Sequence, residues 1–216
     1  MIEHVYGRAS AARSVHQVLV ATDDSRIVDA VERFGGHARL TSAAHRSGTD
    51  RLAEVAATLE CDIVVNVQGD EPLIEPRIIE DALAPFTDGT VQMTTVRRRI
   101  TDPAELANPH VVKVVVDRDD FALYFSRAPI PHRRDSDAVV AYKHIGLYAY
   151  RRPFLLKIAA LPPGALERAE MLEQLRVLEH GFRIKAVETT ADSVGVDTPA
   201  DLDRVRVLVE TADTHA

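Results

Sequence analysis

The run Ile63-Val64-Val65-Asn66-Val67-Gln68-Gly69-Asp70-Glu71-Pro72 decides the fold class. Four of its first five residues are β-branched and apolar, the mark of a strand buried on both faces. A polar turn follows at once. Open α/β sheets bind their ligands beyond the carboxyl ends of the strands, so this turn is a candidate site. Gly69 lets a ligand approach the backbone closely. Asp70 offers an oxygen ligand suited to a hard cation such as Mg2+. The same string also reads as a plain polar turn into a helix, with Pro72 near its start.

Working outward, short apolar runs alternate with amphipathic ones, the pattern of a layered α/β fold with a mainly parallel sheet. Val18 to Ala21 reads as a second buried strand. Helices are predicted over residues 1–13, through Ile27, Val28, Val31 and Phe34, from Thr49 to Leu59, and from Ile78 to Phe86. Gly35-Gly36 stops the second of these. The middle of the chain changes character: Val91–Val96, Val111–Val116, Ala122–Phe125 and Tyr142–Tyr150 are β-like and extend the sheet in a mixed or antiparallel way. A helix from Leu166 to Glu179, ended by Gly181, leads to a strand over Phe182–Thr189. The last helix starts at Pro199, with Thr198 as cap and Asp201 at the third position, a capping box with Asp in place of Glu.

The 216 residues fit one domain, with a core large enough to need no covalent staples. Lys+Arg number 26 against Asp+Glu 33, a net charge of −7, which argues against a general nucleic-acid binder. With a single cysteine, Cys61, no intrachain disulfide can form, and a cytoplasmic setting is expected. Cys61 itself reads as a small buried hydrophobe. No apolar run is long enough to span a membrane, and the N-terminus lacks the pattern of a signal peptide.

Four further strings can carry chemistry. Gly195-Val196-Asp197-Thr198-Pro199 contains an acid that the helix start does not require. Mg2+ takes one or two protein carboxylates plus substrate phosphates, and Asp70 with Asp197 makes such a pair if the fold joins them. Otherwise Asp197 is an acid favoured by a helix N-terminus. His45-Arg46-Ser47-Gly48-Thr49-Asp50-Arg51 is either a helix entry or a place to read a base or ribose. On a strand, His144, Gly146 and Tyr148 share one face and can bond a sugar, or serve structure alone. On a continuous helix, Glu170 and Gln174 stand four apart beside the core face formed by Met171, Leu172, Leu175 and Leu178, within reach of sugar hydroxyls or simply solvated.

Taken in order, these strings resemble the 3-deoxy-manno-octulosonate (Kdo) cytidylyltransferase family. The match covers essentially the whole chain. It runs through His45–Glu54, Asn66–Pro72, Tyr124-Phe125-Ser126-Arg127-Ala128-Pro129-Ile130-Pro131, His144–Tyr148, Glu170–Arg176 and Gly195–Pro199. The resemblance implies one α/β domain over residues 1–216, a nucleotide-diphospho-sugar transferase-like three-layer sandwich with a mixed, mostly parallel sheet. It implies the reaction CTP plus Kdo to CMP-Kdo and pyrophosphate, with Mg2+ as cofactor, for lipopolysaccharide assembly. Asp70 and Asp197 would bind the metal and carry catalysis. Ser47, Gly48, Arg51 and Gln68 would lie by the nucleotide. His144, Tyr148, Glu170 and Gln174 would hold the sugar acid, and Arg127 would serve the sugar side or a structural pair. The strands at about 91–150 would form the sugar-binding part and a homodimer interface. Family members begin with a strand and a phosphate-binding loop ahead of the helix at Met1, so the chain is expected to lack about one βα unit, on the order of 30 residues. The alternatives are a CMP-sialic acid synthetase-like enzyme and an inactive nucleotide- or sugar-binding remnant.

Overall fold

The strand built on Ile63 does enter a sheet, but its partner is far away in sequence. The computed structural model describes residues 1–45, 47–132, 134, 140–191, 193, 195, 196 and 198–213, the last four by backbone alone. β3 (Ile63–Asn66) runs antiparallel to β7 (Tyr142–Arg151), pairing Asn66 with Tyr148. β7 is the hub of the molecule. It also pairs antiparallel with β4 (Met93–Arg99) and β5 (Lys113–Val116). β6 (Ala122–Ser126) lies antiparallel to β5, and β8 (Lys185–Glu188) lies parallel to β4. β1 (Val20–Thr22) and β2 (Ala38–Leu40) form a separate parallel pair.

The sheet is therefore mixed, as expected, but the expected parallel majority is not found. Every pairing of β7 is antiparallel, and only β1–β2 and β4–β8 are parallel. The far edge of β8 turns back on β6: Phe121 bridges Lys185, and the Ala122 N–H donates to Ile184 O at 2.8 Å. This part of the sheet curls toward closure.

The alternation along β7 divides two cores. Ile145 and Leu147 face Val96 of β4, Ile78, Ile79 and Ala82 of α4 (Pro76–Leu83), and Ala9 of α1 (Ile2–Ser10). Tyr150 faces the other way. It packs with Val114, Phe125, Phe154 and Leu155 of α6 (Arg152–Ala159), and Leu175 of α8 (Leu175–Glu179). Ala56 of α3 (Gly48–Ala57) joins that second core. Helices thus cover both faces, giving three layers.

Local signals hold at several helix ends. Asp24 caps α2 (Ser25–Arg33) by accepting from the Arg26 N–H at 2.9 Å. Gly35 and Gly181 stop their helices at φ +78° and +77°, a region glycine enters without strain. At α9 (Pro199–Asp213) the Thr198 N–H donates to Asp201 Oδ2 at 2.9 Å, and the Asp201 N–H to Thr198 Oγ1 at 3.2 Å, as a capping box requires. The short strand β2 and the helices α5 (Pro103–Ala107) and α6 are additions to the sequence reading.

Two further expectations fail. Cys61 is exposed, because it lies in the turn before β3 enters the core. The single helix over Leu166–Glu179 is broken. α7 (Ala165–Glu170) ends at Met171, which takes the left-handed conformation at φ 53°, and α8 starts only at Leu175. Among the described residues no helix is long and apolar enough to cross a membrane.

Candidate active site

The register of the sheet sets one row of the site. Asn66 on β3 and Thr95 on β4 both pair with Tyr148 on β7. On the same face of β7 lie Gly146 and His144, two and four residues back. All three line a cavity of about 390 Å³. The shared face read from the Tyr142–Tyr150 alternation is therefore present. Gln68, where the chain leaves β3, and Gly48, at the start of α3, line the cavity as well. So do Arg127, just past β6, and Gln174, which is buried.

Other anticipated residues are engaged elsewhere. Ser47 does not line the cavity; its hydroxyl accepts from the Asp50 N–H at 3.1 Å and caps α3. Arg51 donates to Thr41 Oγ1 at 2.5 Å and to Asp23 at 2.9 Å. Glu170 also stays out of the cavity lining. Its carboxylate accepts from Ser126 Oγ at 2.6 Å and from the Arg127 N–H at 2.9 Å, tying the end of β6 to α7. Burial works to raise the Glu170 pKa, but these hydrogen bonds outweigh it and hold the group below its ordinary value. The break at Met171 explains why Glu170 and Gln174 part company.

The same break brings in a residue that periodicity does not single out. Glu173 lines the cavity, and its Oε1 is buried with no hydrogen-bond partner among the described residues. Buried polar atoms nearly always find partners, so an orphaned carboxylate oxygen in a cavity marks a place for a donor from outside. Arg176, also at the cavity, anchors this segment through a two-pronged pair with Glu167 at 2.6 and 2.8 Å.

Electrostatics keep the two rings at the cavity neutral. Burial lowers the His144 pKa to about 3. The ring sits edge-on to Phe125, with centroids 5.0 Å apart, and tilted on Tyr148 at 5.4 Å. Burial, then Tyr150 and Glu173, push the Tyr148 phenol well above its usual value. Both remain uncharged hydrogen-bonding groups at neutral pH. Arg127 supplies positive charge. Its Nε donates to Glu170 O at 2.9 Å and its Nη1 to Pro109 O at 3.1 Å, while Nη2 has no acceptor among the described residues.

The two acidic strings meet in part. The Val196 N–H donates to Asp70 O at 2.9 Å, and Ser193 Oγ bonds Glu71, so the Gly195–Val196 turn lies against the Asp70 turn. Asp70 is exposed, and its carboxylate accepts no hydrogen bond among the described residues, which leaves its oxygens open to a hard cation. Asp197 lies outside the described residues. Among the described residues no cluster of three or more metal-ligating side chains occurs.

A model of the cytidylyltransferase family matches residues 1–185. A 3-deoxy-manno-octulosonate cytidylyltransferase from Geobacter metallireducens is 54% identical, over 95% of this chain and 85% of its own length. This chain belongs to the 3-deoxy-manno-octulosonate cytidylyltransferase family. A solved structure of CMP:2-keto-3-deoxy-manno-octonic acid synthetase complexed with CTP superposes with a TM-score of 0.93 at 46% identity. It covers 98% of this chain and 88% of that one. A glucose-1-phosphate thymidylyltransferase structure from Bacillus anthracis aligns with a TM-score of 0.65 at 16% identity, over 96% of this chain and 81% of that one; it shares the fold alone. The cytidylyltransferase therefore has the α/β nucleotidyltransferase architecture expected from its sequence.

Proposed function

We propose that the cavity holds CTP and Kdo side by side and that the chain transfers the CMP group from one to the other. The observation that carries this reading is the lining of one cavity. Gly48, at the start of α3, and Gln68, just past β3, form one part; Arg127, His144, Tyr148, Glu173 and Gln174 form the other. The first part is small and backbone-rich, as a base or ribose requires. The second combines a guanidinium for a carboxylate with neutral and acidic groups for hydroxyls.

In the reaction, the anomeric hydroxyl oxygen of Kdo bonds to the α-phosphorus of CTP. The bond from that phosphorus to the pyrophosphate oxygen breaks in line, and the hydroxyl proton leaves to water. Such transfers rest on positioning and charge neutralisation rather than on a protein nucleophile. Arg127 holds the sugar carboxylate through Nη2. Thr95 has one hydroxyl proton, and Leu147 O accepts it at 2.8 Å. The His144 Nε2, 2.8 Å from Thr95 Oγ1, must then be the donor of that pair, which leaves Nδ1 to accept from a sugar hydroxyl. Glu173 Oε1 accepts from another hydroxyl, and the Tyr148 phenol and Gln174 amide complete the set.

Mg2+ is the cofactor in this reading, and Asp70 and Asp197 are the residues that would hold it. When bound, the ion supplies positive charge to the phosphate oxygens. The product feeds lipopolysaccharide assembly, and the protein acts in the cytoplasm as a homodimer.

The test is pyrophosphate release from CTP with Mg2+, using Kdo and sialic acid in parallel. Release with Kdo, and little with sialic acid, is expected. Equal or greater release with sialic acid would overturn the choice of sugar, and no release with either would overturn the activity.

A further inference from the structure

Lys113, on β5, is fully buried. A buried ammonium is costly unless all three of its protons are bonded. Here they are: Nζ donates to Asn108 O at 2.9 Å, to Val111 O at 2.6 Å and to Arg127 O at 2.5 Å. All three acceptors are backbone carbonyls. A hydrophobic side chain would avoid burying a charge but would take the donor from three carbonyls, so what the lysine supplies beyond packing is a tie between the 108–111 loop and the exit of β6.

The acceptors show what it holds. Asn108 and Val111 bracket a short loop, and Arg127 stands at the exit of β6. The loop in turn holds Arg127, since Pro109 O accepts from Arg127 Nη1 at 3.1 Å. Lys113 therefore grips both the backbone of Arg127 and the loop that orients its guanidinium. The next residue of the same segment, Val112, lines the cavity and accepts the His144 N–H at 2.8 Å. Burial pulls the Lys113 pKa down, as does Arg127, with Glu170 opposing them.

We propose that Lys113 is a positioning residue that aims the free Nη2 of Arg127 into the sugar-acid part of the cavity. This rests on the functional reading above. It places a residue with no access to the ligand in control of affinity for the ligand's carboxylate. Its influence falls on the sugar side and spares the Gly48–Gln68 side, because none of its contacts lies there.

The experiment measures KM for Kdo and for CTP, with kcat and the thermal midpoint, in wild type, Lys113→Met, Lys113→Gln, Arg127→Lys and the double variants. Lys113→Gln keeps two donors for the cage and serves if Lys113→Met does not fold. The expected result is a rise in KM for Kdo of fivefold or more with KM for CTP within twofold. In the Arg127→Lys background the same change should add less than twofold, since both act on one contact. Unchanged KM for Kdo, an equal rise for both substrates, or a full additional rise in the Arg127→Lys background would overturn the proposal and leave Lys113 a packing residue. Wild type that turns over no Kdo would overturn the functional reading and this inference with it. An active wild type in which neither Lys113→Met nor Lys113→Gln raises KM for Kdo overturns this inference alone.

Discussion

Thr95 Oγ1 stands 2.8 Å from His144 Nε2, with its own proton directed to Leu147 O. A hydroxyl on one strand thus sets the tautomer of an imidazole on the next. Replacing Thr95 with Val removes this acceptor and leaves the Nε2 proton without a partner. A hydrogen bond of this kind contributes about 1 kcal/mol, so KM for Kdo should rise about fivefold while KM for CTP stays put. Thr95→Ser should restore most of the loss. Steady-state kinetics on the two variants checks this.

The same histidine makes stability depend on pH. Its pKa falls from an ordinary 6.5 to about 3 in the folded chain. Below pH 6.5 the unfolded chain takes up a proton that the folded chain refuses. The contribution of His144 is therefore complete above about pH 6.5 and is lost progressively as pH falls toward 3. At pH 5 the loss is about 2 kcal/mol. Urea unfolding of wild type and His144→Asn at pH 7 and pH 5 should show the larger drop in wild type. Equal drops would mean that His144 is solvated in the folded state.

Glu173 gives a separation of function from stability. Its Oε1 is buried without a partner, a condition that destabilises the empty protein. Glu173→Ala should leave the thermal midpoint unchanged or raise it. Loss of an acceptor for a sugar hydroxyl should raise KM for Kdo about tenfold, the value for a bond to a charged group. A lowered midpoint with normal kinetics would show that Glu173 is a structural acid.

Asp70 tests the metal. The side chain is exposed and holds nothing else in place among the described residues, so Asp70→Asn should fold as wild type does. Its rate of pyrophosphate release should fall at least ~100-fold, the scale of losing one well-placed charge-stabilising group. Higher Mg2+ should recover part of the rate. Full activity, or a loss that higher Mg2+ leaves unchanged, would remove Asp70 from the metal site.

Much of this was legible in the residues. The alternation from Tyr142 to Tyr150 placed His144, Gly146 and Tyr148 on one face, because strand periodicity needs no tertiary information. The turn that carries Gln68 stood out by following a buried strand, while Gln68 itself came from the family resemblance. The 166–179 region was different. It carries a helical pattern with no glycine or proline inside it, yet Met171 adopts φ 53°. The reason lies in contacts distant in sequence: Glu170 is drawn to Ser126 and Arg127, and Leu172 and Leu175 are drawn into the core. Neither pull is visible locally. With the break unseen, Glu170 looked like a ligand and Glu173 was not singled out. The parallel bias misled for a similar reason, since apolar strand runs do not reveal that β7 runs against each of its neighbours.

That hub also governs the order in which the chain can acquire its shape. β3 and β4 leave the ribosome long before β7, which pairs with both. Until residue 150 is out, Ile63–Asn66 and Met93–Arg99 have no β7 to receive their backbone groups. Unpaired strands of this kind are sticky. Pairings between residues so far apart close slowly. The nascent protein therefore passes a long stretch of synthesis with its future central strands unmatched, and its yield in a cell rests on what shelters them during that interval.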